Sequence, residues 1–179
     1  PKHRIFPGGH LLVWMSGSPA QSFSPHGSSP TVRTIPFDRT LIPSGAEWKY
    51  RSFQQTDEED AATEPLPKNW MQIDYVDDHL PVGRAGFGYG DDDDTTELSA
   101  GTTVVLLRHK FVLDSLPATE SLVLQVDYDD GFIAYLNGQR VASRNAPKGT
   151  LNRRSVATDS HDAGLPERLD LSTHVNLLR

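Results

Sequence analysis

The stretch from Val126 to Val141 constrains the fold of this chain more than any other. Asn137-Gly138 lies between two runs of β-formers. A two-residue type I′ loop needs positive φ at both central positions, and Asn and Gly tolerate it, so the pair predicts a β-hairpin. Counting outward sets Tyr135 opposite Arg140, Ala134 opposite Val141 and Ile133 opposite Ala142. Asp129-Asp130-Gly131 has the chemistry of a second tight turn, because Asp bonds nearby backbone N–H groups and Gly supplies positive φ. Residues 121–144 therefore read as a three-stranded antiparallel meander.

The rest of the chain agrees on class. Further strands are predicted at Leu11 to Met15, Glu47 to Phe53, Thr102 to Leu113 and Ser121 to Tyr128, with late candidates at Arg154 to Ala157 and Arg168 to Leu171. Trp70 to Tyr75 reads as a short strand or a turn. Thirteen Pro and fourteen Gly interrupt every run long enough for an amphipathic helix. The 179 residues amount to about one domain with room for an appendage. The expected fold is all-β, a two-sheet antiparallel β-sandwich of the jelly-roll kind with long loops at its ends. Residues 16–36 are rich in Ser, Pro and Gly, so the chain divides near residue 40 into a short strand plus linker (1–40) and a main domain (41–179).

A net charge of −7 and a pI near 5.4 argue against a nucleic-acid partner or an anionic membrane, since phosphate binding depends on clustered Lys and Arg. The absence of Cys removes disulfides, thiolate metal sites and a cysteine nucleophile. No apolar run approaches the length of a membrane span, so no insertion is expected.

Three groups of residues carry candidate chemistry. Asp91, Asp92, Asp93 and Asp94 with Glu97 form the densest charge cluster, and neighbouring carboxylates repel by on the order of 0.5–1 kcal/mol per pair even in water. Either bulk solvent relieves that, or a hard oxygen-ligated cation such as Ca²⁺ does, drawing also on Asp129 or Asp130. It is not an EF-hand, because Thr96 and Thr102 fall where that loop needs Gly and Glu. Among the aromatics, Trp48, Trp70, Tyr75, Tyr89, Tyr128 and Tyr135 have rings that suit sugar stacking. Trp70, flanked by loop residues, is the surface candidate, and Trp48 in its strand belongs to the core. Catalysis is disfavoured. Ser160-His161-Asp162 holds triad residue types, but consecutive residues cannot align nucleophile, base and orienter, and no His-Glu-x-x-His zinc motif occurs. Gly86-Phe87-Gly88-Tyr89-Gly90 lacks the spacing and the Lys of a phosphate loop, and reads instead as a close backbone approach with Phe87 and Tyr89 on one face.

Three blocks then carry a family resemblance: Ala85 to Asp91 with the acidic run behind it, Val126 to Gly138, and Asp159 to Ala163 with Leu165-Pro166-Glu167. Together they resemble the galactose-binding-like jelly-roll modules of exported bacterial multidomain proteins, often found beside lamin-tail and spore-coat-kinase-like domains. The likeness covers roughly residues 41–179, and residues 5–17 resemble the closing strand of a lamin-tail domain. Where the family often has a Trp ahead of its Gly-Tyr-Gly block, this chain has Leu80. The resemblance implies one more apolar strand beyond Arg179, so the main domain is expected to be C-terminally incomplete. Asp129-Asp130-Gly131 is also similar to the Asp-Asp-Gly turn of sugar-binding sandwiches in which adjacent carboxylates hold a calcium, with Asn137 at a similar spacing.

The expectation is therefore a non-catalytic module, extracellular, periplasmic or at the cell surface, that binds carbohydrate or a surface polymer and neighbours other domains of its polypeptide. Trp70, Tyr89, Asp129, Asp130 and Asn137 are its ligand candidates, and Asp91 to Asp94 with Glu97 its calcium candidates. A structural spacer is the alternative, and part of a hydrolase the more remote one.

Overall fold

A computed structural model describes residues 9–16 (backbone), 40–54, 66–67, 69–89, 94–113 and 121–178. Its strands are β1 (Gly9–Ser16), β2 (Glu47–Gln54), β3 (Val82–Arg84), β4 (Phe87–Gly88), β5 (Thr96–Glu97), β6 (Thr102–Phe111), β7 (Val123–Val126), β8 (Gly131–Leu136), β9 (Gln139–Arg144) and β10 (Glu167–Asp170). A single 3₁₀ turn, Ser172–Leu177, follows. The protein is all-β, as its breakers and alternation imply.

Six strands form the main sheet in the order β3-β2-β6-β1-β8-β9, paired antiparallel throughout. β7 and β10 make a separate antiparallel pair, and β4 and β5 a short parallel one. The strand β1 lies between β6 and β8. A strand placed by its sequence in a separate N-terminal piece thus completes the middle of the same sheet, because the chain cut near residue 40 follows composition while strand pairing follows open edges.

β6 explains why there are layers on both sides. Its run Val104-Val105-Leu106-Leu107 leaves no polar face, and every one of those side chains is buried. Val105 and Leu107 join Trp48, Phe132 and Ala134 in a cluster closed by Val126, Tyr128 and Leu169 of the β7–β10 layer. Val104 and Leu106 face the other way, onto Phe53, Leu66, Trp70 and Ile133. A strand covered on both faces loses the period-two pattern and reads as a continuous apolar run.

Three local expectations are corrected. The hairpin at Asn137-Gly138 forms with φ of 50° and 84°, and Tyr135 pairs with Arg140, but Ala134 pairs with Ala142 and not with Val141. Val141 is the extra residue of a β-bulge, which turns it and Ala142 both toward the core. No meander forms, since β7 pairs with β10 and the chain crosses between layers at Asp129 to Gly131. Arg154 to Ala157 is not a strand: the Asn152 side chain accepts the Arg154 N–H (2.9 Å), and the Ser155 N–H closes on the Asn152 carbonyl (3.2 Å), making a turn. Trp70 to Tyr75 is a chain of turns, its N–H groups closing back three residues at Trp70, Gln72 and Tyr75.

One buried charge holds that turn chain to the sheet. Asp77, 1% exposed, accepts Lys49 and Lys110 Nζ on Oδ1 and Arg108 Nε on Oδ2, each at 3.0 Å. Arg108, 2% exposed, also donates to the Trp70 and Gln72 carbonyls and lies over the Tyr75 ring. Burial pushes the Asp77 carboxyl up, but the three cationic donors outweigh it and hold the group far below the ordinary carboxylate range. Its folded pKa is thus below its unfolded one. The stability it contributes is complete above the unfolded value near pH 4 and is lost as pH falls toward the folded one. Asp77→Asn is expected to cost about 3–5 kcal/mol in urea unfolding at pH 7, because it strands the buried Arg108, and to shrink the acid-induced loss below about pH 4. A cost below about 1 kcal/mol would contradict this reading.

Candidate functional site

The crossing from β7 to β8 supplies a corner built from two distant blocks of sequence. Asp130 has φ 54°, and the Gly131 N–H donates to the Asp129 carbonyl at 2.7 Å, a γ-turn. The loop 158–164 folds over it. The Asp130 N–H donates to the His161 carbonyl (2.7 Å), the His161 N–H to Asp130 Oδ1 (3.4 Å) and the Gly164 N–H to Asp127 Oδ1 (2.9 Å). On the other side the Asn145 amide donates to the Asp130 carbonyl at 2.7 Å.

Tyr128 anchors this corner in the core. Its ring meets Phe132 edge-on at 4.8 Å and stacks flat on the His161 ring at 4.1 Å. The phenol donates to Glu167 Oε2 (3.3 Å), whose other oxygen accepts Arg144. His161 Nδ1 lies 2.9 Å from the Tyr128 carbonyl, and since a carbonyl only accepts, Nδ1 carries the proton. With Nδ1 so committed, His161 holds the loop in place.

Two carboxylates in the corner are buried. Asp127 is 2% and Asp129 6% exposed. Burial pushes the Asp127 carboxyl upward, against the Gly164 N–H, the charge of His161 and the Tyr128 N–H. Burial likewise raises Tyr89, whose half-buried ring packs against the main core, and the negative charge of Asp129 adds to that.

The other candidate residues are distributed differently. Trp70, taken for a surface ring, is 4% exposed and packs edge-on against Tyr135 at 5.7 Å, so it has no face for a ligand. Its flanking loop residues mislead because the turn chain they form is itself pressed onto the sheet. Asn137 is 6% exposed, holds the hairpin turn and donates to the Leu177 carbonyl at 2.7 Å, tying the turn to the 3₁₀ segment. Asp91, Asp92 and Asp93 lie outside the described residues. Asp94 sits with its carboxylate over Gly88, where a Cβ would come within 2.5 Å of either oxygen, and Glu97 is exposed in β5. Among the described residues no three His, Asp or Glu side chains form a ready metal cluster. Trp48, Phe87 and Tyr128 are core, and Phe87 and Tyr89 do share a face.

Sequence reading missed Asp127, His161, Arg144 and Glu167 as a group. The signal available was the pairing of the Val126 block with the Asp159 block, which the fold brings into contact.

Comparison with family models, curated proteins and solved structures finds no match. No described helix is long and apolar enough to cross a membrane.

Gly131 tests the corner directly. A Cβ there would meet the Arg144 carbonyl at 2.9 Å, the Asn145 carbonyl at 3.1 Å and Ala157 Cβ at 3.1 Å. Gly131→Ala is expected to lose about 1–3 kcal/mol in urea unfolding and to raise amide exchange at His161 and Gly164. Unchanged exchange at those two amides would contradict the latch.

Proposed function

We propose that this chain is a non-catalytic, galactose-binding-like jelly-roll module of an exported bacterial protein, binding carbohydrate or attaching its parent to a surface polymer. The observation that carries this reading is the Asp129–Gly131 corner, which the 158–164 loop holds in place and which leaves Asp130 half-buried at its edge. A carboxylate acceptor on a corner fixed in place, with half-buried Tyr89 packed on the same core cluster as Tyr128, supports a sugar subsite. Two layers of strands around one apolar cluster support the jelly-roll part, and the three blocks in family order support the kinship. The implied setting is extracellular, periplasmic or at the cell surface, beside other domains of the polypeptide, with Ca²⁺ as the cation such a module takes. The acidic run Asp91 to Asp94 with Glu97 is its first candidate position.

The spacer alternative also has a specific support. Asp130 and Asn137 are both spent on positive-φ turns, and Trp70 is spent on the core. For the hydrolase alternative the described geometry offers less, because His161 is stacked on Tyr128 and Ser160 donates its N–H to Asp159.

A glycan and cell-wall polymer array with the folded chain separates these. The expected result is saturable binding, weakened about tenfold by Tyr89→Ala and by Asp130→Asn with unfolding midpoints within a few degrees of wild type. Chromogenic glycosides and esters should stay unturned. Silence across the array from a folded chain supports the spacer reading.

A further inference from the structure

We infer that the sheet face around Lys49, Arg51 and Lys110 is a docking surface for a linear acidic glycopolymer, one whose carboxylate or phosphate groups repeat at short intervals along its length. The inference goes beyond the corner subsite, since it uses other strands and the opposite face of the main sheet.

The register places the cations. Lys49 of β2 stands opposite Arg108 of β6, and Arg51 opposite Leu106, so Lys49, Arg51, Arg108 and Lys110 share one face of two paired strands. Against these four cations stand Asp77 and Asp78, which leaves two positive charges over. Glu47, the neighbouring same-face position on β2, is opposite Arg84, and the two cancel. A chain of net charge −7 thus carries a cationic patch that its composition conceals.

The tether at Asp77 does not need all four. One cation neutralises that carboxylate, and Arg108, 2% exposed, is the one buried with it. Lys49 and Lys110 are extra, with side chains 29% and 53% exposed, and each lies 3.0 Å from the same Asp77 Oδ1. The two ammonium groups are therefore within twice that distance of one another and repel. Of their N–H groups Lys49 uses one on Asp77 and one on Asp78, and Lys110 one on Asp77, so both keep donors for a ligand. The Asp78 contact is the replaceable one, since that carboxylate is 91% exposed. Half-buried Arg51 lies over the Phe53 ring at 4.9 Å and has no carboxylate partner among the described residues. An oxyanion bridging Lys49 and Lys110 takes up their remaining donors and relieves the repulsion. A second at Arg51 lies one same-face position along β2, about 6.6 Å away. Two anion positions at that interval fit a chain of repeated oxyanions and not a single small anion.

The probes are polygalacturonate and poly(glycerol phosphate), titrated into the full chain, with neutral dextran and single-stranded DNA of equal charge beside them. Saturable binding of at least one acidic glycopolymer, none of dextran, and a loss of about tenfold or more between about 50 and 200 mM salt are expected. The tighter of the two identifies the anion as carboxylate or phosphate. Arg51→Gln and Lys110→Gln should each weaken binding about fivefold, and Asp78→Asn should tighten it about threefold, with unfolding midpoints within a few degrees of wild type. Arg51 takes no part in the Asp77 cluster, so Arg51→Gln decides the matter if Lys110→Gln does not fold. Tyr89→Ala should leave polymer binding unchanged, and its loss of neutral-glycan binding bears on the proposed function alone. No binding of either acidic polymer, full affinity in folded Arg51→Gln, weaker binding by Asp78→Asn, or tighter binding of the DNA would overturn the inference.

Discussion

Everything else in the fold depends on β6 being covered on both faces. A strand whose central residues are all apolar cannot leave either side to water, so the chain must supply two layers against it. On one side that layer is β7 with β10. On the other it is not a sheet at all but irregular backbone at Leu66, Pro67 and 69–80, which packs Leu66 and Trp70 onto the sheet and is also tied to it by a specific tether. The tether is the Asp77 cluster. Arg108 continues β6 into this layer, spends its guanidinium on two carbonyls of the turn chain and is neutralised by Asp77, which itself belongs to that chain. Buried ion pairs of this kind contribute little against an apolar alternative, but each partner becomes expensive once the other is removed. The cluster therefore fixes where the irregular layer sits more than how stable the domain is.

The corner at Asp127 to Gly131 applies the same logic on the opposite layer. Crossing from one sheet to another in a few residues needs a sharp turn, and Asp130 and Gly131 supply it. Closing that turn places carboxylates inside, and the loop 158–164 then lies over them with its backbone N–H groups turned toward Asp127 and Asp130. Tyr128 keeps the arrangement rigid by joining the core, the loop histidine and the Glu167–Arg144 pair. The proposed subsite lies at this fixed, charged corner.

The class and most of the strands could be read from the sequence because alternation and turn chemistry are local. Asn137-Gly138 is the plainest example, since its type of loop is dictated by two residues. The register two positions further on was not legible, because a bulge at Val141 is decided by what the core has room for. Asp129-Asp130-Gly131 was legible as a turn but not as a crossing, since a hairpin and a corner ask the same φ of the same residues. Trp70 and Asn137 looked like surface groups because their neighbours are polar, yet tertiary contacts buried both. Asp127 gave no local sign at all: its importance comes from losing water, a property of the assembled layers.

The most direct test of this account is the partner of β7, read from cross-strand NOEs in solution. With the corner as described, contacts between Leu124 and Leu169 and between Val126 and Glu167 are expected, along with Ala134 to Ala142 across the hairpin. A continuous ladder joining Gln125 to Ala134 would instead make residues 123–136 a simple hairpin, and the buried corner would not exist.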